Sequence, residues 1–200
     1  MKRSFSLLSG SILAWCLLEI SCMAYSSDPK QFIAEIVNEA KIVLNSKISK
    51  EEKAKKLSDI ALKTVDIKGI GYYTLGSKRK ELTPKELKKY EEIFEKYFLK
   101  SFTSRLTDYS DPKIEVLSAE VISDKYTIVK TLLLPTAKKP EVKIDWRIYT
   151  KDPDKPLIRD LIVEGLKLAR TQKEEFASIL NSNNNDINAL FVKLEEFINQ

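Results

Sequence analysis

The stretch TPKELKKYEEIFEKYFLKSFTSRLTDYSDPKIEVLSAEV, residues 83–121, carries the change of period that decides the fold. It opens on Thr83-Pro84-Lys-Glu86, a capping box with proline in its first turn. Leu87, Tyr90, Phe94, Tyr97, Phe98, Phe102, Leu106 and Tyr109 then recur at steps of three and four. That spacing predicts a long amphipathic helix ending before Asp111-Pro112. Its inner stripe is aromatic, which suits either an ordinary core face or the wall of an apolar cavity. From Lys113 the period becomes two, and Ile114, Val116 and Leu117 begin a strand that reaches Val121.

Downstream the alternation continues. Ser123-Asp124 turns the chain into a second strand over Lys125 to Thr136. After Pro140, Val142, Ile144, Trp146 and Ile148 alternate with Lys143, Asp145 and Arg147 in a third strand. Asp152-Pro-Asp-Lys-Pro156 turns into a fourth strand, Leu157 to Val163. Short connections imply an antiparallel meander. A helix over Leu166 to Leu180, a loop over Asn181 to Asn185 and a helix over Asp186 to Ile198 close the chain.

Upstream the period is helical. Asp28-Pro29 opens a first helix faced by Phe32, Ile36, Val37, Ala40, Val43 and Leu44. Ser49-Lys-Glu-Glu52 opens a second, lined by Ala54, Leu57, Ile60, Ala61, Thr64 and Val65. A short segment, 66–76, contains Gly69 and Gly71, each costing a helix about 1 kcal/mol relative to alanine. Close packing against another element is the usual reason for such glycines. The order is helices, strands, helices, with no repeat and no linker. This predicts one α+β domain, a four-stranded antiparallel sheet covered on one face by helices.

Residues 1–24 read as an export leader. Lys2 and Arg3 precede an apolar run from Phe5 to Leu18 that is short for a bilayer span, and Cys22-Met-Ala24 offers a cleavage site after Ala24. A lipid anchor would need Leu-x-x-Cys, but Glu19 stands three before Cys22 and Trp15 directly before Cys16. Both cysteines lie in this leader, so the domain over 25–200 has no thiol and no disulfide. Histidine is absent from the whole chain. Its absence removes the commonest general base and the imidazole ligands of zinc and copper. The formal charge of +5 is modest, and Lys and Glu are interspersed. Lys78-Arg79-Lys80 is followed at once by Glu81, so no basic stripe for nucleic acid forms.

No specific catalytic or metal-binding arrangement appears. Asp160 and Glu164 share one strand face and could act as a glycosidase-like pair, or serve as salt-bridge partners of Arg147. An exported hydrolase using them is one alternative; an exported interaction module with a filled core is another.

The motifs together resemble a known family. Asp66-Ile67 with Ile70 and Leu75-Gly76, then Thr83-Pro84 before the aromatic helix, form the first half. Val129-Lys-Thr131, the Val142–Ile148 segment and Asp160-Leu-Ile-Val-Glu164-Gly165 with Phe176 form the second. In this order they are similar to the MlaC, or toluene-tolerance, family. Four positions depart from the pattern. Ser77-Lys78-Arg79 and Pro156 stand where the family usually has tryptophan, Lys167 where serine is common, and Lys173 where arginine is common.

The resemblance implies a monomeric periplasmic carrier of a Gram-negative cell. It would take phospholipid between an outer-membrane lipoprotein–porin complex and an inner-membrane ABC transporter complex, maintaining outer-membrane lipid asymmetry. It implies no cofactor, no catalysis and an apolar cavity between sheet and helices. Each buried methylene contributes about 0.8 kcal/mol, so two sixteen-carbon chains gain on the order of 25 kcal/mol gross. The residues expected to line that cavity are Ile70, Tyr73, Leu75, Phe94, Phe98, Phe102 and Leu106 from the helices. Val142, Ile144, Trp146 and Ile148 would line its sheet side.

Overall fold

The computed structural model describes residues 25–107, 111–137 and 139–200. The leader, 1–24, and Tyr109 of the aromatic stripe lie outside the described residues. Every α-helix but the fifth starts where the sequence offers a cap. Helix α1 (Pro29–Asn45) has Asp28 accepting the Gln31 N–H. Both capping boxes form, Ser49 with Glu52 ahead of α2 (Lys50–Thr64) and Thr83 with Glu86 ahead of α4 (Pro84–Leu106).

Between them lies α3 (Ile67–Leu75), capped by Asp66 and ended by Gly76 at φ +57°. That left-handed geometry favours glycine. A 3₁₀ turn over Gly76–Lys80 leads to α4. The glycines inside α3 serve packing. A Cβ on Gly71 would sit 2.8 Å from Cδ1 of Phe94, so α3 lies directly on the face of α4. We expect Gly71→Ala to lose about 1–3 kcal/mol in urea titrations, because Phe94 is fixed among other rings and cannot yield.

The sheet runs β1 (Ile114–Ser123), β2 (Tyr126–Leu133), β3 (Val142–Tyr149), β4 (Leu157–Val163) and β5 (Leu166–Lys167), each antiparallel to the next. It therefore has five strands rather than the four read from sequence. The fifth exists because Glu164 and Gly165 both take positive φ, +49° and +82°, and fold two residues back onto Ile162 and Val163. The final helices are consequently α5 (Leu168–Asn181), two residues later than read from sequence, and α6 (Ile187–Asn199). The second strand ends at Leu133 rather than Thr136, short of Pro135, which cannot donate to a ladder.

The apolar side chains gather in two cores rather than one. The helical core joins Ile67, Ile70 and Leu75 of α3 and Tyr90, Ile93 and Phe94 of α4 with Phe176, Leu180, Leu190, Phe191 and Leu194 of α5 and α6. The sheet core joins Phe32, Ile33 and Ile36 of α1 and Leu57 and Ile60 of α2 with Val129, Ile148 and Ile158 of the sheet. Val65, the residue between α2 and α3, packs against both.

Candidate functional site: a half-buried seam between two cores

Helix α4 belongs to both cores, and its aromatic stripe changes character along its length. Tyr90 and Phe94 are 0% and 2% exposed. Phe94 stacks on Tyr90 at 5.5 Å and meets Phe176 edge-on at 6.2 Å. Tyr90 donates its hydroxyl to the Gly71 carbonyl at 3.1 Å and shares a 2.8 Å bond with Thr74, and its burial pushes the phenol upward. Further along, Phe98 and Phe102 stack nearly parallel at 6.1 Å, both only half-buried. One turn on, half-buried Leu106 packs against the sheet core.

The sheet presents a matching row. Period-two geometry places Val129, Thr131 and Leu133 of β2 on one face with Val142, Ile144, Trp146 and Ile148 of β3. Val116 of β1 and Leu161 and Val163 of β4 share that face by register. Ile148 and Val129 are fully buried under α1 and α2, whereas Val116, Leu133, Val142, Ile144, Trp146, Leu161 and Val163 are half-buried. Val116, Trp146 and Leu161 pack at the rim of the same core as Leu106. The Trp146 indole N–H donates to Thr131 Oγ1 at 3.0 Å, and that hydroxyl donates to the Ile144 carbonyl at 2.8 Å. The indole N–H and the hydroxyl of this row are thereby both satisfied, leaving an apolar surface.

The expected lining residues divide accordingly. Ile70, Leu75 and Phe94 lie in the helical core, and Ile148 lies in the sheet core. Phe98, Phe102, Leu106, Val142, Ile144 and Trp146 are half-buried, with Phe98 packed against the helical core and Leu106 and Trp146 against the sheet core, and the seam is this junction. Tyr73 is 48% exposed on the other side of α3, with the Lys173 ammonium 5.2 Å above its ring. Sequence reasoning passed over Val116, Leu133, Leu161 and Val163, although their alternation was visible. Two concavities stand out, neither on the seam. One, about 210 Å³, lies between α3 and α4 beside Ile67, Tyr72 and Glu91, and the other, about 330 Å³, beside Asn183 and Val192.

The carboxylates of the Asp-x-x-x-Glu-Gly segment hold backbone. Glu164 accepts the Lys143 N–H at 2.5 Å, locking β3 to the β4–β5 turn. Asp160, 8% exposed, accepts the Ala169 N–H at 2.9 Å in the first turn of α5. It stands in for a cap there, because Lys167 at the N-cap offers no acceptor. Burial raises the Asp160 carboxyl, opposed by N–H bonds from Ala169 and Leu161 and by the charges of Arg147 and Lys167.

Asp160→Ala should cost about 1–2 kcal/mol by orphaning the Ala169 N–H, while Asp160→Asn keeps an acceptor and should lie within about 1 kcal/mol of wild type. Because the folded carboxyl ionises above its unfolded value, its contribution is full below the unfolded pKa and declines as pH rises through the folded one. Guanidinium denaturation across that window should therefore show wild type losing stability relative to Asp160→Asn as pH rises. Among the described residues no group of three or more His, Cys, Asp or Glu side chains gathers to hold a metal ion.

No curated protein matches the chain. Among solved structures it is similar to the phospholipid-binding protein of Ralstonia solanacearum, determined in complex with a phospholipid. The two share 17% identity and a TM-score of 0.73, covering 88% of this chain and 98% of that one. The family model described as MlaC protein matches residues 34–196. That match takes in every element from α1 to α6, and the chain belongs to the MlaC family.

Proposed function

We propose that the chain is a phospholipid carrier whose acyl chains lie along the seam between the two cores. The carrying observation is a set of half-buried apolar side chains on both cores, Phe98, Phe102 and Leu106 along α4 and Ile144, Trp146 and Leu161 on one sheet face, with Leu106, Trp146 and Leu161 packed against the same core. Family membership and the phospholipid-bound relative support the same reading. The expected cavity forms as lipid enters and the two cores move apart. Burial of methylenes, at about 0.8 kcal/mol each, supplies the affinity without catalytic groups. Export by a leader cleaved after Ala24 would deliver the domain to the periplasm as a monomer. There it would pass lipid between an outer-membrane lipoprotein–porin complex and an inner-membrane ABC transporter complex, sustaining outer-membrane asymmetry and toluene tolerance.

Native mass spectrometry of protein purified from the periplasm tests the reading. Wild type should carry phospholipid in about one-to-one ratio, and Ile144→Glu, which places a charge among acyl chains, should carry at least about tenfold less while keeping its circular dichroism. The two surface clefts away from the seam favour the second reading, an interaction module with a filled core. Protein free of lipid, with no uptake from liposomes, would select that alternative.

A further inference from the structure

On the sheet face opposite the seam, Arg147 is a cation with no carboxylate in salt-bridge contact among the described residues. Its guanidinium carbon lies 4.1 Å above the Tyr126 ring, and the side chain makes no hydrogen bond or salt bridge among the described residues, acting on Asp160 only through its charge. Its Nε is buried with no hydrogen-bond partner, the single side-chain nitrogen or oxygen in that condition among the described residues. The contrast with Arg159 is direct. Arg159 also stacks on a tyrosine, Tyr149 at 3.8 Å, but both its Nε and an Nη reach Asp66 at 2.6 Å, and its other Nη donates to the Tyr126 hydroxyl at 3.2 Å.

The carboxylate placed to pair with Arg147 is engaged elsewhere. Asp160 is its cross-strand partner in the register, yet Asp160 accepts the Ala169 N–H and forms no ion pair with Arg147. Stacking on Tyr126 fixes the plane of the guanidinium, and its Nη atoms, neither bonded nor buried, remain open to an incoming acceptor. A planar fork held in this way suits bidentate recognition of an oxyanion, because little side-chain entropy remains to be lost.

The surroundings decide which oxyanion. Register places Glu115, Glu120 and Asp145 with Lys130, Lys143 and Lys167 on the same outer face, with Glu120 paired to Lys130. Charges of both signs alternate there, so the face has no basic patch to hold an anionic bilayer, while a recessed single cation accepts one protruding group. We propose that Arg147 is a docking point for an aspartate or glutamate side chain of a protein partner, received on the outer face of the sheet. This site needs no lipid and stands independently of the seam.

The test is an NMR titration of the ¹⁵N-labelled mature domain with a blocked tetraglutamate peptide and, separately, with inorganic phosphate. The peptide should move the Arg147 Nε–H resonance saturably, and Arg147→Gln should weaken binding, read from neighbouring amides, by about tenfold or more. No movement of that resonance, or equal affinity in Arg147→Gln, would overturn the proposal. So would phosphate moving it where the peptide does not. Should Arg147→Gln fail to fold, Arg147→Lys keeps the charge but loses the fork, and the same about tenfold weakening is expected of it.

Discussion

Phe94→Ala should cost about 3–5 kcal/mol of folding free energy, whereas Phe102→Ala, two turns along the same stripe, should cost about 1 kcal/mol and act on lipid instead. The difference follows from what surrounds each ring. Phe94 touches Tyr90, Tyr97, Phe98 and Phe176 and forms the floor under Gly71, so its removal leaves a cavity bounded by three helices. The neighbours are themselves rings held by packing and can close that void only in part. Among the described residues Phe102 meets one ring, Phe98, and it is only half-buried. Its removal strips little area from the folded state but subtracts from any acyl chain laid along the seam. Urea titration separates the two on the stability axis, and phospholipid retained after gel filtration separates them on the other. Equal losses of stability would place Phe102 in an ordinary core and remove the seam's claim on it.

That contrast also marks what the amino-acid order could reveal. The long helix, its capping box and the period change near Asp111-Pro112 were legible because each rests on local chemistry. The alternation from Val142 to Ile148 likewise gave strand and facing residues directly. Whether Phe94 or Phe102 is core was not legible, since both satisfy the same three-and-four spacing. The distinction arises from position along α4, whose first half meets α3, α5 and α6 and whose last turn meets the core shared by α1, α2 and the sheet. Tyr73 illustrates the converse: it sits in an apolar segment, but α3 turns it outward beneath Lys173. Strand β5 escaped for a different reason, since two residues paired beyond a left-handed turn have no period. The unusual residue at Lys167 had a structural meaning as well. Serine there would cap α5, and in its absence Asp160 takes the N–H from across the strand.

Asp66→Ala should remove about 2–3 kcal/mol, more than Asp160→Ala. This one carboxylate does two jobs. Its Oδ1 accepts the Gly69 N–H at 2.9 Å and caps α3, a contribution of about 1 kcal/mol. Its Oδ2 receives the Arg159 guanidinium at 2.6 Å, with side chains 17% and 33% exposed, so the pair is partly screened and falls below the cost of breaking a fully buried one. Truncation leaves Arg159 half-buried with only Tyr126 and the Tyr149 ring as partners. Asp66→Asn keeps the cap and loses the charge, so it should retain roughly half of the stability that alanine removes. Location gives the pair its further consequence. Asp66 begins α3 of the helical core, Arg159 lies on β4 beside the sheet core, and Val65 bridges Ile158 next to them. Hydrogen exchange resolved by element should therefore show the α3 amides of Asp66→Ala losing protection well before those of β2 and β3. Uniform loss across both cores would mean that the ion pair stabilises the fold as a whole and does not tie one core to the other.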